Sequence, residues 1–147
     1  MSTPMAVGRD SRPPIGHALL GAGAATLAVA ALRTLGFRRV TAPVRRLART
    51  ARRPAEGAEI LTVLRAIDVG ASRLPFRVAC LERSLAAALW LGARRLGVTW
   101  QVGVRTPPFS LHAWLADASG TILGEPDSTL ADQPLLTISP SDWRNGP

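Results

Sequence analysis

The chain holds one cysteine, Cys80, and two histidines, His17 and His112. A lone Cys with a His elsewhere in the chain is the arithmetic of a thiol nucleophile and its base. Each also has a plainer use, since free Cys is commonly a small buried hydrophobe and a strand His beside Trp114 is commonly structural. Their local settings carry the argument. Cys80 opens a run to Leu96 in which Leu81, Leu85, Ala88 and Leu89 form an apolar face and good helix formers dominate. The thiol therefore sits at or near a helix amino terminus, where unpaired N–H groups favour an anion. The thiolate is the attacking species, and the same N–H groups suit the oxyanion of a tetrahedral intermediate.

His112 falls on a strand. Val98 to Val104 alternates apolar with polar or small residues, Thr106-Pro107-Pro108 breaks it, and Phe109 to Ala116 reads as a second strand. Asp117 to Gly120 is a turn cluster, and Thr121 to Glu125 is a third strand before Pro126. If those four turn residues form the loop, Ala116 pairs with Thr121, Trp114 with Leu123, and His112 with Glu125. Opposed residues share a face about 5 Å apart at Cβ. An acid there would fix the imidazole tautomer and stabilise its cation. Asp127, two residues on, is the alternative acid if the strand continues past Pro126. Cys on a helix amino terminus, with His and a carboxylate on a facing sheet, is a chemically complete set.

The elements that position this set begin with a tail over residues 1–14. Ile15 to Leu32 carries no fixed charge, is rich in Ala, Gly and Leu, and is closed by Arg33. It reads as a buried or membrane-leaning helix, with a true span or a signal peptide as the alternative. Thr41-Ala42-Pro43 has the chemistry of a helix start, and that Arg-rich helix would run to Arg53. Ile60, Leu64, Ile67 and Ala71 recur at helical spacing over Ala58 to Ala71. Helices followed by antiparallel strands give an α+β fold. The expected organisation is a tail (1–14), N-terminal helices (15–75) and a core (76–147), with the last two forming one compact unit.

Charge adds a second theme. All 18 basic residues are arginine, and eight of them, Arg33 to Arg53, lie in one acid-free stretch that equals the net charge of +8. Such a block is either a solvated helix face or a dock for an acidic peptide, a membrane surface or nucleic acid. No aromatic interleaving or binding motif supports nucleic acid, so none is expected as a partner. The absence of CxxC or HExxH spacing argues against a metal site, and no cofactor is expected.

The stretch Cys80-Leu81-Glu82-Arg83-Ser84-Leu85, then Val102-Gly103-Val104, His112-Ala113-Trp114 and Gly124-Glu125-Pro126, resembles the lasso-peptide B proteins. It is most similar to the stand-alone peptidase half of the split form, within the transglutaminase-like superfamily, over roughly residues 60–126. The resemblance implies a papain/transglutaminase-like core, with a nucleophile-bearing helix packed on a small antiparallel sheet behind N-terminal helices. It implies a cytoplasmic bacterial cysteine protease that removes the leader from a ribosomally made precursor peptide. A leader-binding recognition-element protein would deliver that leader, and a separate ATP-dependent cyclase would use the product. Cys80 would be nucleophile and His112 base. The third member is usually Asp in that family, and the matching position here is Glu125. Arg83 and Ser84 match recurrent positions of the family's helix, and Trp114 belongs to the HAW element. The competing readings are acyl transfer of the transglutaminase type, and an inactive peptide-binding or membrane-docking protein on the same scaffold.

Overall fold

The structure, a computed structural model, describes residues 12–105, 109–126, 129–130 and 132–140. Most of the predicted tail, the Thr106-Pro107-Pro108 break and Asp127 lie outside the described residues. Four helices come first: α1 (Ile15–Leu35), α2 (Phe37–Arg49), α3 (Gly57–Ala71) and α4 (Cys80–Ala93). A short parallel pair joins β1 (Arg53–Pro54) to β2 (Leu96–Gly97). The main sheet is antiparallel, with β3 (Thr99–Arg105), β4 (Ser110–Ala116), β5 (Ile122–Leu123) and β6 (Gln133–Ile138) in the order β5-β4-β3-β6. The expected α+β fold with N-terminal helices is what forms.

The composition of α1 has a packing reason. Gly21 faces the Ala66 backbone and Gly70 faces Ala18 and Ala22, so a Cβ at either glycine would collide with main chain. The buried face of α1 (Ala18, Gly21, Ala25, Ala28 and Val29) thus lets α1 and α3 approach backbone to backbone. By length and hydropathy the helix could cross a membrane, yet this face is packed inside the fold. Its other face is exposed.

The sheet closes on the helices around Trp100, Ile60, Ile67, Leu85, Leu91 and Leu115, all fully buried. The Trp100 indole N–H donates to the Ser84 hydroxyl at 2.9 Å, which ties α4 to β3 inside the core. Arg53, at the start of β1, donates to both Glu59 carboxylate oxygens at 2.8 and 2.9 Å, and that hydrogen bonding lowers the Glu59 pKa to about 2.

Several boundaries differ from the sequence reading. Helix α2 begins at Phe37 rather than Thr41, because Gly36 (φ +76°) ends α1 and Phe37 seats its ring 6.2 Å from Trp100. Pro43 lies inside that helix, where buried Val40 and Val44 hold it against the core, and the Thr41 hydroxyl bonds the Arg38 carbonyl instead of capping. The helix stops at Arg49, and Arg53 enters β1. Helix α4 stops at Ala93, since Arg95 takes a positive φ of 59° and turns the chain into β2. Strand β6 carries Pro134 and has exposed residues along most of its length, so it gives no alternating signal.

The hairpin register also differs by one residue. Leu115 pairs with Leu123 and Ala116 with Ile122, and the Asp117 N–H closes on the Thr121 carbonyl around a three-residue loop. Asp117 shapes that loop: its Oδ1 accepts from Ser119 N–H, Ser119 hydroxyl and Thr121 N–H. Burial acts to raise its pKa, but these hydrogen bonds outweigh burial and lower it.

Candidate active site

Cys80 is the first residue of α4, half-buried and reduced. The turn is held by Glu82, whose carboxylate accepts the Ala79 N–H at 3.1 Å, half of a capping box. As in the first turn of any helix, the N–H groups of Cys80, Leu81 and Glu82 have no intrahelical carbonyl to bond. His112 stands on β4, opposite Gly103 of β3. Its ring stacks 5.7 Å from that of Trp114, whose indole N–H is fixed at 2.8 Å by the Gln101 side-chain oxygen.

A one-residue register shift would ordinarily send Glu125 to the other face. Gly124 prevents this. At φ +71° it breaks the strand after Leu123, and Glu125 swings back so that its Oε2 sits 3.1 Å from His112 Nε2. The pairing expected from the sequence therefore forms, by a bend rather than by a ladder. With Nε2 engaged by the acid, Nδ1 is the ring nitrogen available to a thiol or a substrate. Among the described residues no hydrogen bond joins Cys80 to His112.

Gly124 is packed as well as bent. A Cβ there would lie 2.7 Å from Leu64 Cδ1, in a backbone region costly to L side chains. Gly124→Ala should lower folding stability by about 2–4 kcal/mol, combining overpacking with the unfavourable φ. Urea unfolding measures it, and an unchanged midpoint would overturn the packing and backbone argument at Gly124.

The other Glu125 oxygen takes a 2.8 Å hydrogen bond from Arg83 Nη1, while Arg83 Nε and Nη2 grip Asp68 at 2.6 and 2.9 Å. Burial works against the Arg83 charge, but Asp68 and then Glu125 outweigh it and raise its pKa. Asp68 on α3, Arg83 on α4, Glu125 just beyond β5, and His112 on β4 thus form one continuous polar chain. Arg83, expected as a supporting residue, bonds the Glu125 oxygen that His112 leaves free. Ser84, the other helix residue expected in support, is buried and accepts the Trp100 indole N–H.

Asp68 and Arg105 gave no sequence signal that singled them out. Arg105 ends β3, diagonal to His112 on the same face of the β3–β4 ladder. Asp132, with a side chain only 1% exposed, holds its guanidinium at 3.0 and 3.1 Å. The Asp132 hydrogen bond raises the Arg105 pKa most, and Glu125 and Cys80 add to it through space. Strand alternation from Gly103 could have placed Arg105 beside the site; its partner Asp132 could not be foreseen without β6. No cluster of metal-ligating side chains occurs among the described residues.

A family model described as "Transglutaminase-like superfamily" matches residues 24–137, from within α1 into β6. The match takes in the N-terminal helices as well as the sheet, a wider span than the motifs alone suggested. No curated protein and no solved structure matches the chain.

Proposed function

Since the chain belongs to the transglutaminase-like superfamily, we propose that it is a cysteine peptidase which removes the leader from a ribosomally made lasso-peptide precursor. The observation that carries this reading is the His112 Nε2–Glu125 Oε2 pair at 3.1 Å, on the sheet against which the helix beginning at Cys80 packs. The superfamily supports a scaffold for cysteine peptidase or acyltransfer chemistry, and the motif resemblance supports leader removal within it.

In the proposed reaction the Cys80 thiolate attacks the last leader carbonyl, forming the C–S bond and an oxyanion that first-turn N–H groups of α4 stabilise. His112 then gives its proton to the core amine as the C–N bond breaks. Water, deprotonated by His112, attacks the thioester, and the leader departs with a free carboxylate while the thiol is restored. Glu125 holds the ring through Nε2 and offers a counter-charge to the imidazolium. Arg83 and Asp68 keep that carboxylate aimed. Substrate binding brings the thiol and Nδ1 into line, as catalytic hydrogen bonds often tighten only in the complex. A leader-binding recognition protein delivers the precursor, and a cyclase receives the freed core in the cytoplasm.

Incubation of the protein with precursor and recognition partner should yield a leader with a free C-terminal carboxylate. Mass analysis separates the outcomes. A new amide on the leader would make the protein an acyltransferase, and intact precursor under all delivery conditions would leave a peptide-binding scaffold.

A further inference from the structure

The exposed face of α1 does not end in solvent alone. Leu19, Leu20 and Leu27, each more than 60% exposed, form one wall of a groove of about 570 Å³. Leu89, Trp90 and Ala93 of α4 form the other. The next residue after Ala93 belongs to a second cleft, of about 410 Å³, lined by Arg52, Arg53, Arg94 and Arg95. Helix α4 therefore lines the apolar groove, and the two residues that follow it, Arg94 and Arg95, line the arginine cleft. Arg53 is paired with Glu59, and among the described residues no ion pair joins Arg52, Arg94 or Arg95 to an acid. Arg38, Arg39, Arg45, Arg46 and Arg49 of the neighbouring α2 are exposed as well.

We infer that this face docks on an anionic phospholipid bilayer, with acyl chains entering the α1–α4 groove and headgroup phosphates meeting Arg52, Arg94 and Arg95. The groove chemistry selects lipid over peptide. Its walls are leucine, alanine, glycine and one tryptophan, so the Trp90 indole N–H is the single polar side-chain group they offer, and the backbone N–H groups of an extended peptide would find no side-chain acceptor there. Acyl chains require none. A tryptophan at the groove, apolar residues beneath and arginines beside them is the pattern of an interfacial surface. Arginine also matches phosphate oxygens bidentately. The surface involves neither Cys80 nor His112, so docking stands or falls apart from the peptidase reading.

Sedimentation of the full chain with vesicles tests it. The protein should bind phosphatidylcholine/phosphatidylglycerol vesicles, bind phosphatidylcholine alone far more weakly, and dissociate as salt rises. Arg94→Gln with Arg95→Gln should weaken binding to anionic vesicles by about tenfold or more, at about fivefold per charge. Leu20→Ser with Leu27→Ser should weaken it by about tenfold, and circular dichroism should show both variants folded, since all four side chains are exposed. Cys80→Ala should bind as the parent does. Equal binding to neutral vesicles, or wild-type affinity in both double variants, would overturn the inference. So would no vesicle binding together with either capture of an acidic amphipathic peptide or self-association that Leu20→Ser/Leu27→Ser abolishes.

Discussion

Replacing Cys80 with Ala should abolish leader release, with a loss of about 10³-fold or more in kcat/KM. The expectation follows from the position of the thiol as much as from its chemistry. Cys80 is the first residue of α4, and the chain holds no second thiol. In the proposed reaction no acyl-enzyme forms without the sulfur, and only transition-state stabilisation by the first-turn N–H groups and His112 would remain. The substitution should leave the fold alone. Ala is a good helix residue, the turn is held by Glu82 at the Ala79 N–H, and buried Leu85 and Leu91 anchor the rest of α4. Stability should move by less than about 1 kcal/mol, so thermal unfolding separates a chemical loss from a structural one. Alkylation adds a second readout. Iodoacetamide at neutral pH should modify Cys80 and inactivate the protein in parallel, and His112→Ala should change the pH profile of that alkylation. Cleavage retained by a folded Cys80→Ala variant would sink the assignment of the nucleophile.

What the sequence made legible was local. The helix at Cys80 could be read because Leu81, Leu85, Ala88 and Leu89 repeat at helical spacing, and β3 and β4 because their residues alternate. What it hid depends on residues far apart in the chain. The start of α2 is set by Phe37 against Trp100, so Thr41 and Pro43 carried cap chemistry that the tertiary contact overrides. Strand β6 is an edge strand with a proline and few buried residues, and it exists because β3 supplies its hydrogen bonds. The His112–Glu125 pair is the instructive case. Counting turn residues gave the right partner through the wrong register, since Asp117 closes on Thr121 around a three-residue loop rather than the four-residue one expected, and Gly124 then restores the face. The Asp68–Arg83–Glu125 chain joins α3, α4 and the end of the hairpin, a convergence no sequence spacing encodes. Gly21 and Gly70 likewise look like helix-weakening residues in sequence, and become explicable where α1 and α3 touch main chain to main chain.

Glu125→Gln should lower kcat by about 10²–10⁴-fold with a smaller change in KM, and Asp127→Asn should do little. The family resemblance left both acids open, and geometry supports the first. Glu125 reaches His112 with one oxygen and Arg83 with the other, so its carboxylate is fixed in both position and rotation. Gln keeps the shape but loses the charge. It can offer its oxygen to only one of two donors, and pointing it at Arg83 leaves an N–H₂ against His112 Nε2, which enforces the wrong tautomer. The imidazolium of the proposed acylation would then have no counter-charge. A structural account predicts something else. Losing an Arg83 partner should cost about 1–2 kcal/mol of stability, less than a fully broken buried pair, because Asp68 still holds Arg83 through two hydrogen bonds. Arg83→Gln should therefore show the larger stability loss and the smaller kinetic one, since it only aims the acid. Glu125→Asp is the conservative control: it retains the charge on a shorter stem and should recover part of the rate that Gln loses. Steady-state kinetics and urea unfolding on the four variants decide between these roles. Near-normal kcat in Glu125→Gln, or a greater loss in Asp127→Asn, would move the third member of the triad from the residue that touches His112 to the one two positions on.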